Sequence, residues 1–116
     1  MNNVGTKEDS AQGYVVEMTE DWVSCRHPDG SVESLAWADL QTVLIERNND
    51  NPNGLPITWL LAGEKSRCVI PVGATNAQLL IRRFSELPGF NHLLMQTGMK
   101  AIANRWYLCW QNPRRR

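Results

Sequence analysis

At 116 residues the chain has room for one domain, and a 42% apolar content suffices for one core but hardly two. No apolar run approaches the roughly 20 residues that a membrane-spanning helix needs, which argues against an integral helical membrane protein. Lys and Arg number 12 and Asp and Glu number 12, so no overall charge marks the chain as a polyanion or membrane-surface binder.

The charge is nevertheless unevenly spread. Ten of the acidic side chains and three of the basic ones fall in residues 1–50, while residues 51–116 hold two acidic and nine basic ones. Such polarity either marks a polyanion-binding half or lets the two halves complement each other within one fold. The three cysteines, Cys25, Cys68 and Cys109, are far apart and lie among apolar neighbours. That pattern fits buried reduced thiols better than a disulfide framework. Residues 1–12 are nearly devoid of apolar side chains and are expected to form a disordered tail. They lack the basic start and apolar stretch of a secretory signal, so a cytoplasmic location is expected. The domain itself is expected over 13–112, with 113–116 as a basic tail.

Tyr14 to Met18 and Trp22 to His27 read as two strands separated by a Glu20-Asp21 turn. Pro28-Asp29-Gly30 is a strong reversal signal, because Pro presets φ and Asp-Gly tolerates positive φ. Ser31 to Trp37 then returns antiparallel. The alternation slips at Ala38-Asp39-Leu40, which predicts a kink, and Thr42 to Arg47 resumes as a strand rich in β-branched residues. The polar stretch Asn48 to Leu55 is the strongest breaker in the chain, an exposed loop and a candidate for recognition through Asn49, Asn51 and Asn53.

Ile57 to Ala62 and Arg67 to Val72 are the next two strands, the second demoted to an edge or an end by Pro71. Then the period changes. Thr75 and Gln78 have the spacing of a capping box, and Ala77, Leu80, Ile81, Phe84 and Leu87 fall on one helical face. Pro88-Gly89 stops that helix, and a shorter one is expected from Asn91 to about Lys100. Arg105 to Gln111 closes the chain as a strand, with Trp106, Leu108 and Trp110 on one face and Tyr107 and Cys109 on the other. The expected fold is therefore α+β. It has an antiparallel, strongly curved sheet of six or seven short strands, a roll or partly open barrel, with a main helix over about 75–87 and a short second helix.

The run Leu35-Ala-Trp-Ala-Asp-Leu-Gln-Thr-Val-Leu-Ile45 resembles a segment of bacterial pleckstrin-homology-like domains. Trp59-Leu60-Leu61, Ile70-Pro71, Leu87-Pro-Gly-Phe-Asn91 and Trp106 to Trp110, in that order, are similar to a family of small uncharacterised bacterial proteins over about residues 32–111. The resemblance implies a small sheet-based domain and carries no activity with it. A pleckstrin-homology fold ends on one long helix, whereas here a strand follows the helices.

No catalytic pattern stands out. Cys25 and His27 share a strand face, but the spacing to Cys68 and Cys109 is not that of a zinc motif. His92 has no paired nucleophile, there is no nucleophile elbow, and the glycines form no phosphate loop. Asp39, beside Trp37 at the kink, is the acid most open to partial burial, and hydrogen bonding to backbone N–H groups is its expected role. Neither a cofactor nor a metal is expected. The expected function is a non-enzymatic protein-interaction domain, with a homodimer as one version. The alternative is nucleic-acid or other polyanion binding by a patch of Arg82, Arg83, Arg105, Arg114, Arg115 and Arg116 beside Trp106.

Overall fold

A computed structural model describes residues 11–50 and 54–114. The fold is α+β, with seven strands and two helices among the described residues and every strand pairing within the sheets antiparallel. The strands divide into two sheets, which do not close into a barrel. The first holds β1 (Val15–Met18), β2 (Trp22–Arg26) and β3 (Val32–Ala36) in that order. The second holds β4 (Leu40–Arg47), β5 (Ile57–Gly63), β6 (Arg67–Pro71) and β7 (Arg105–Gln111), in the order β6-β5-β4-β7.

The expected kink is what separates the sheets. Trp37–Asp39 forms a single 3-10 turn between β3 and β4, and the register slips again between Leu40 and Thr42. The β2–β3 hairpin turns where Pro28-Asp29-Gly30 placed it. Gly30 takes φ 93°, and the Asp29 carboxylate accepts from the backbone N–H and the hydroxyl of Ser31. β6 is an edge strand, as Pro71 indicated.

The first helix is shorter than its periodicity suggested, and the second runs as expected. The first, α1, covers Gln78–Phe84 and the second, α2, His92–Lys100. The capping box at Thr75 and Gln78 does not form. Instead the backbone of Thr75 pairs with the edge of β1, donating to Tyr14 O at 2.9 Å and accepting from Val16 N at 2.9 Å. Asn76 follows in a left-handed conformation at φ 71°, tolerated by its short amide side chain, which donates to Val16 O. A segment committed to strand pairing cannot also serve as a helical cap, so α1 starts later. The Asn91 side chain does cap α2, accepting from Leu94 N at 2.8 Å.

Both helices pack on the inner face of the four-stranded sheet. Phe84 of α1 meets Trp59 of β5 edge to face at 4.9 Å and stacks on Phe90 at 5.6 Å. On α2, Gly98 lies so close to β7 that an added Cβ would sit 3.0 Å from Tyr107 Cγ. Val43, Ile45, Trp59, Leu61, Cys68 and Ile70 supply the inner face of the sheet, and Val23, Cys25 and Leu35 face them from the smaller sheet. Trp37, Trp59 and Trp110 are buried; the indole N–H of Trp37 donates to Thr19 O and that of Trp110 to Pro88 O. Of the expected tail, residues 1–10 lie outside the described residues, and Ala11 is buried with its carbonyl accepting from Tyr14 N.

Candidate interaction surface

The outer face of the four-stranded sheet carries a different set of side chains. Residues directly opposite one another in a ladder share a face. Leu44 lies opposite Leu60 on one side and Leu108 on the other, and Leu60 lies opposite Val69. Val69, Leu60, Leu44 and Leu108 therefore form one apolar row across all four strands. Leu44, Leu60 and Val69 are half-buried and Leu108 is 45% exposed.

Trp106 extends this row. It sits opposite Glu46, one step along β7 from Leu108 on the same face, and is 65% exposed. Its indole N–H donates to Glu46 Oε2 at 3.2 Å. The polar edge of the ring is thereby satisfied and its rotation restricted, while the apolar ring remains open to solvent. A fixed, presented aromatic of this kind loses little side-chain entropy on binding.

One expectation for β7 needs correcting. Trp106, Leu108 and Trp110 do not share a face, because the β4–β7 register shifts between Val43 and Leu44. This bulge turns both Cys109 and Trp110 inward, where they are buried, and leaves Trp106 and Leu108 outside. Cys109 O also accepts from Asn91 N at 2.8 Å, which covers part of the free edge of β7.

The other candidate residues are scattered. Asn49 is bound into the fold: its N–H donates to Asn104 Oδ1, its amide nitrogen donates to Ile102 O, and its Oδ1 accepts from Arg47 Nε. Asn51 and Asn53 lie outside the described residues, as do Arg115 and Arg116. Arg83 sits 4.5 Å over the Trp37 ring and 3.5 Å from Glu86, with Arg82 beside it on α1. Arg105 begins β7 and Arg114 follows its end, so about 20 Å of extended strand separates them. Of the six arginines of the polyanion alternative, the four described ones are divided between α1 and the two ends of β7.

Cys25 and His27 both neighbour Glu33, which is the cross-strand partner of Cys25. His27 Nε2 lies 3.5 Å from Glu33 Oε1 and its ring is 5.0 Å from Tyr14. Cys25, Cys68 and Cys109 are free and buried, and burial pushes their thiols up to about 11, about 12 and about 11 respectively. Such thiols are poor nucleophiles near neutrality. Asp39 lies beside Gly63, its carboxylate 2.6 Å from the position a Cβ there would take. Among the described residues, no group of three or more His, Cys, Asp or Glu side chains is arranged to hold a metal ion. No helix among the described residues is long and apolar enough to cross a membrane. Compared with known proteins, the chain matches no family model, no curated protein and no solved structure.

Proposed function

We propose that the chain is a non-enzymatic protein-interaction domain whose contact surface is the outer face of the four-stranded sheet. The observation that carries this reading is the unbroken row Val69-Leu60-Leu44-Leu108 with Trp106 presented beside it. A contiguous exposed apolar face rimmed by polar residues is characteristic of protein contacts, and Trp is enriched at their centres.

The occupant proposed is a second copy of the chain. Arg67 and Glu46 both lie on this face, Arg67 opposite Ala62 on the β6 side and Glu46 two strands away on β4. A two-fold axis in the plane of contact sets each Arg67 opposite the Glu46 of the other copy, with the apolar rows packed between the two pairs. Sheet faces pack in this way at about 10 Å, with their side chains interdigitated.

Light scattering and sedimentation over a concentration series test the proposal. The expected result is a reversible dimer that Leu108→Asp and Trp106→Ser each convert to a folded monomer. A chain that stays monomeric at high concentration removes the second copy as occupant. Capture of a different protein in a manner that depends on both Trp106 and Leu108 reassigns the face to that partner.

A further inference from the structure

On the opposite side of the same sheet, at the end where β4, β5 and β7 begin or finish, Arg47 and Arg105 are direct cross-strand neighbours. Two guanidinium groups opposite each other in a ladder repel, and a nearby carboxylate normally relieves the repulsion. Here neither arginine forms an ion pair with any described residue. Arg47 makes one hydrogen bond, from Nε to Asn49, and Arg105 lies over the Tyr107 ring at 5.3 Å. The terminal nitrogens of Arg47 have no hydrogen-bond or ion-pair partner among the described residues.

Arg47 also lines a cavity of about 220 Å³, whose other walls are apolar and include Ile57 and Val72. A second cavity of about 430 Å³ shares Val72 and Gly73 with the first and runs on past Trp59, Ile81 and Met99. The two cavities are neighbours, and among the described residues Arg47 is the one charged residue lining either of them, so the cost of the like-charged pair is retained beside a largely apolar cavity. Rules of local stability are broken in this way where a ligand supplies the missing partner.

We infer that the two cavities form one cleft that binds a medium-chain aliphatic carboxylate, the anionic head on Arg47, with Arg105 adding charge from across the ladder, and the alkyl chain between Val72, Ile81 and Met99. This site is separate from the outer face and does not depend on the dimer. One guanidinium in an otherwise apolar lining suits a single negative head group with an apolar tail. A free fatty carboxylate meets both requirements with no further polar partner.

The test is a titration of the full chain with decanoate below its micellar range, followed by backbone amide NMR shifts. Decanol and decyltrimethylammonium serve as the uncharged and oppositely charged probes. Expected are saturable shifts centred on Val72, Gly73, Ile81 and Met99, with decanoate binding about tenfold or more tighter than decanol, as charge-assisted hydrogen bonds imply. Arg47→Met should remove that preference while leaving decanol binding in place. Arg105→Gln, at an exposed position, should reduce it by a smaller factor, and Ile81→Glu should weaken both probes. The inference is overturned if no saturable shifts appear, if decanol binds as tightly as decanoate, or if Arg47→Met and Arg105→Gln both leave the preference intact. Shifts centred on Trp106 and Leu108 overturn it as well. So does tighter binding of a short apolar peptide through its terminal carboxylate.

Discussion

Glu33 Oε1 accepts a hydrogen bond of 2.8 Å from the backbone N–H of Val69, joining the edge of one sheet to the edge of the other. β3 and β6 are both edge strands, and each would otherwise present unpaired backbone groups. The same residue supplies its backbone carbonyl to Cys68 Sγ at 3.6 Å. One side chain and one carbonyl thus fix the seam between the sheets, behind which Cys25, Leu35 and Cys68 are buried.

Glu33→Ala should therefore destabilise the fold by about 1–3 kcal/mol, because a partly buried N–H loses its side-chain acceptor. Glu33→Gln keeps an oxygen in place and should cost less than half as much. Urea unfolding at neutral pH measures both variants. Equal stability of Glu33→Ala and the parent would mean that the seam is held by apolar packing alone.

Gly63 and Gly98 are both closely packed, but against different neighbours. A Cβ at Gly63 would lie 2.6 Å from Asp39 Oδ2, 2.7 Å from Leu35 Cδ1 and 2.8 Å from the backbone oxygen of Asp39. The backbone of a 3-10 turn cannot give way cheaply, so Gly63→Ala should cost about 3 kcal/mol or more. At Gly98 the nearest atoms are 3.0 Å and 3.2 Å away, all in the side chains of Tyr107 and Ile45. There Ala also gains up to about 1 kcal/mol in helix propensity, so the net loss should be much smaller. Thermal unfolding of the two variants ranks them, and the reverse order would contradict the packing described.

Local signals were readable in the sequence and non-local ones were not. Pro28-Asp29-Gly30 specified its hairpin because the turn is made by adjacent residues. Pro71 marked an edge strand because proline lacks the N–H that an inner strand needs. Thr75 and Gln78 misled, since β1, some 60 residues earlier, claims the Thr75 backbone. Strict alternation in Arg105 to Gln111 placed Trp110 beside Trp106, and only the pairing with β4 introduces the bulge that separates them. Glu33 carries no local signal because its partner is 36 residues away. The apolar row was equally hidden: each of its four residues is an unremarkable member of its own strand, and only the register aligns them.

The tryptophans divide into two classes with opposite mutational signatures. Trp59 is fully buried against Phe84, so Trp59→Ala should cost about 3–5 kcal/mol and release the packing of α1. Trp106 and Trp22 are 65% and 52% exposed. Trp106→Ser and Trp22→Ser should each change monomer stability by about 0.5 kcal/mol or less. Only the Trp106 variant should alter association. Denaturation measured at low protein concentration, with light scattering at high concentration, separates the two effects.

The three buried thiols give the fold an alkaline limit. Burial, the largest cause in each case, holds Cys25 and Cys109 protonated up to about 11 and Cys68 up to about 12, with Glu33 adding to the effect at Cys25, and Cys25 and Glu33 adding to it at Cys68. In the unfolded chain the same thiols ionise near 8.5. Between these values the unfolded state has released protons that the native state retains, so stability falls as pH rises. Their contribution is complete below about pH 8 and is lost progressively as pH rises toward 11 to 12. The urea midpoint should therefore decline steadily from roughly pH 9 upward. Cys109→Ala should lower stability at neutral pH, through the lost packing, and at the same time make the decline shallower. A midpoint that is flat through this range, or a slope unchanged by the substitution, would show that the thiols do not titrate differently in the two states.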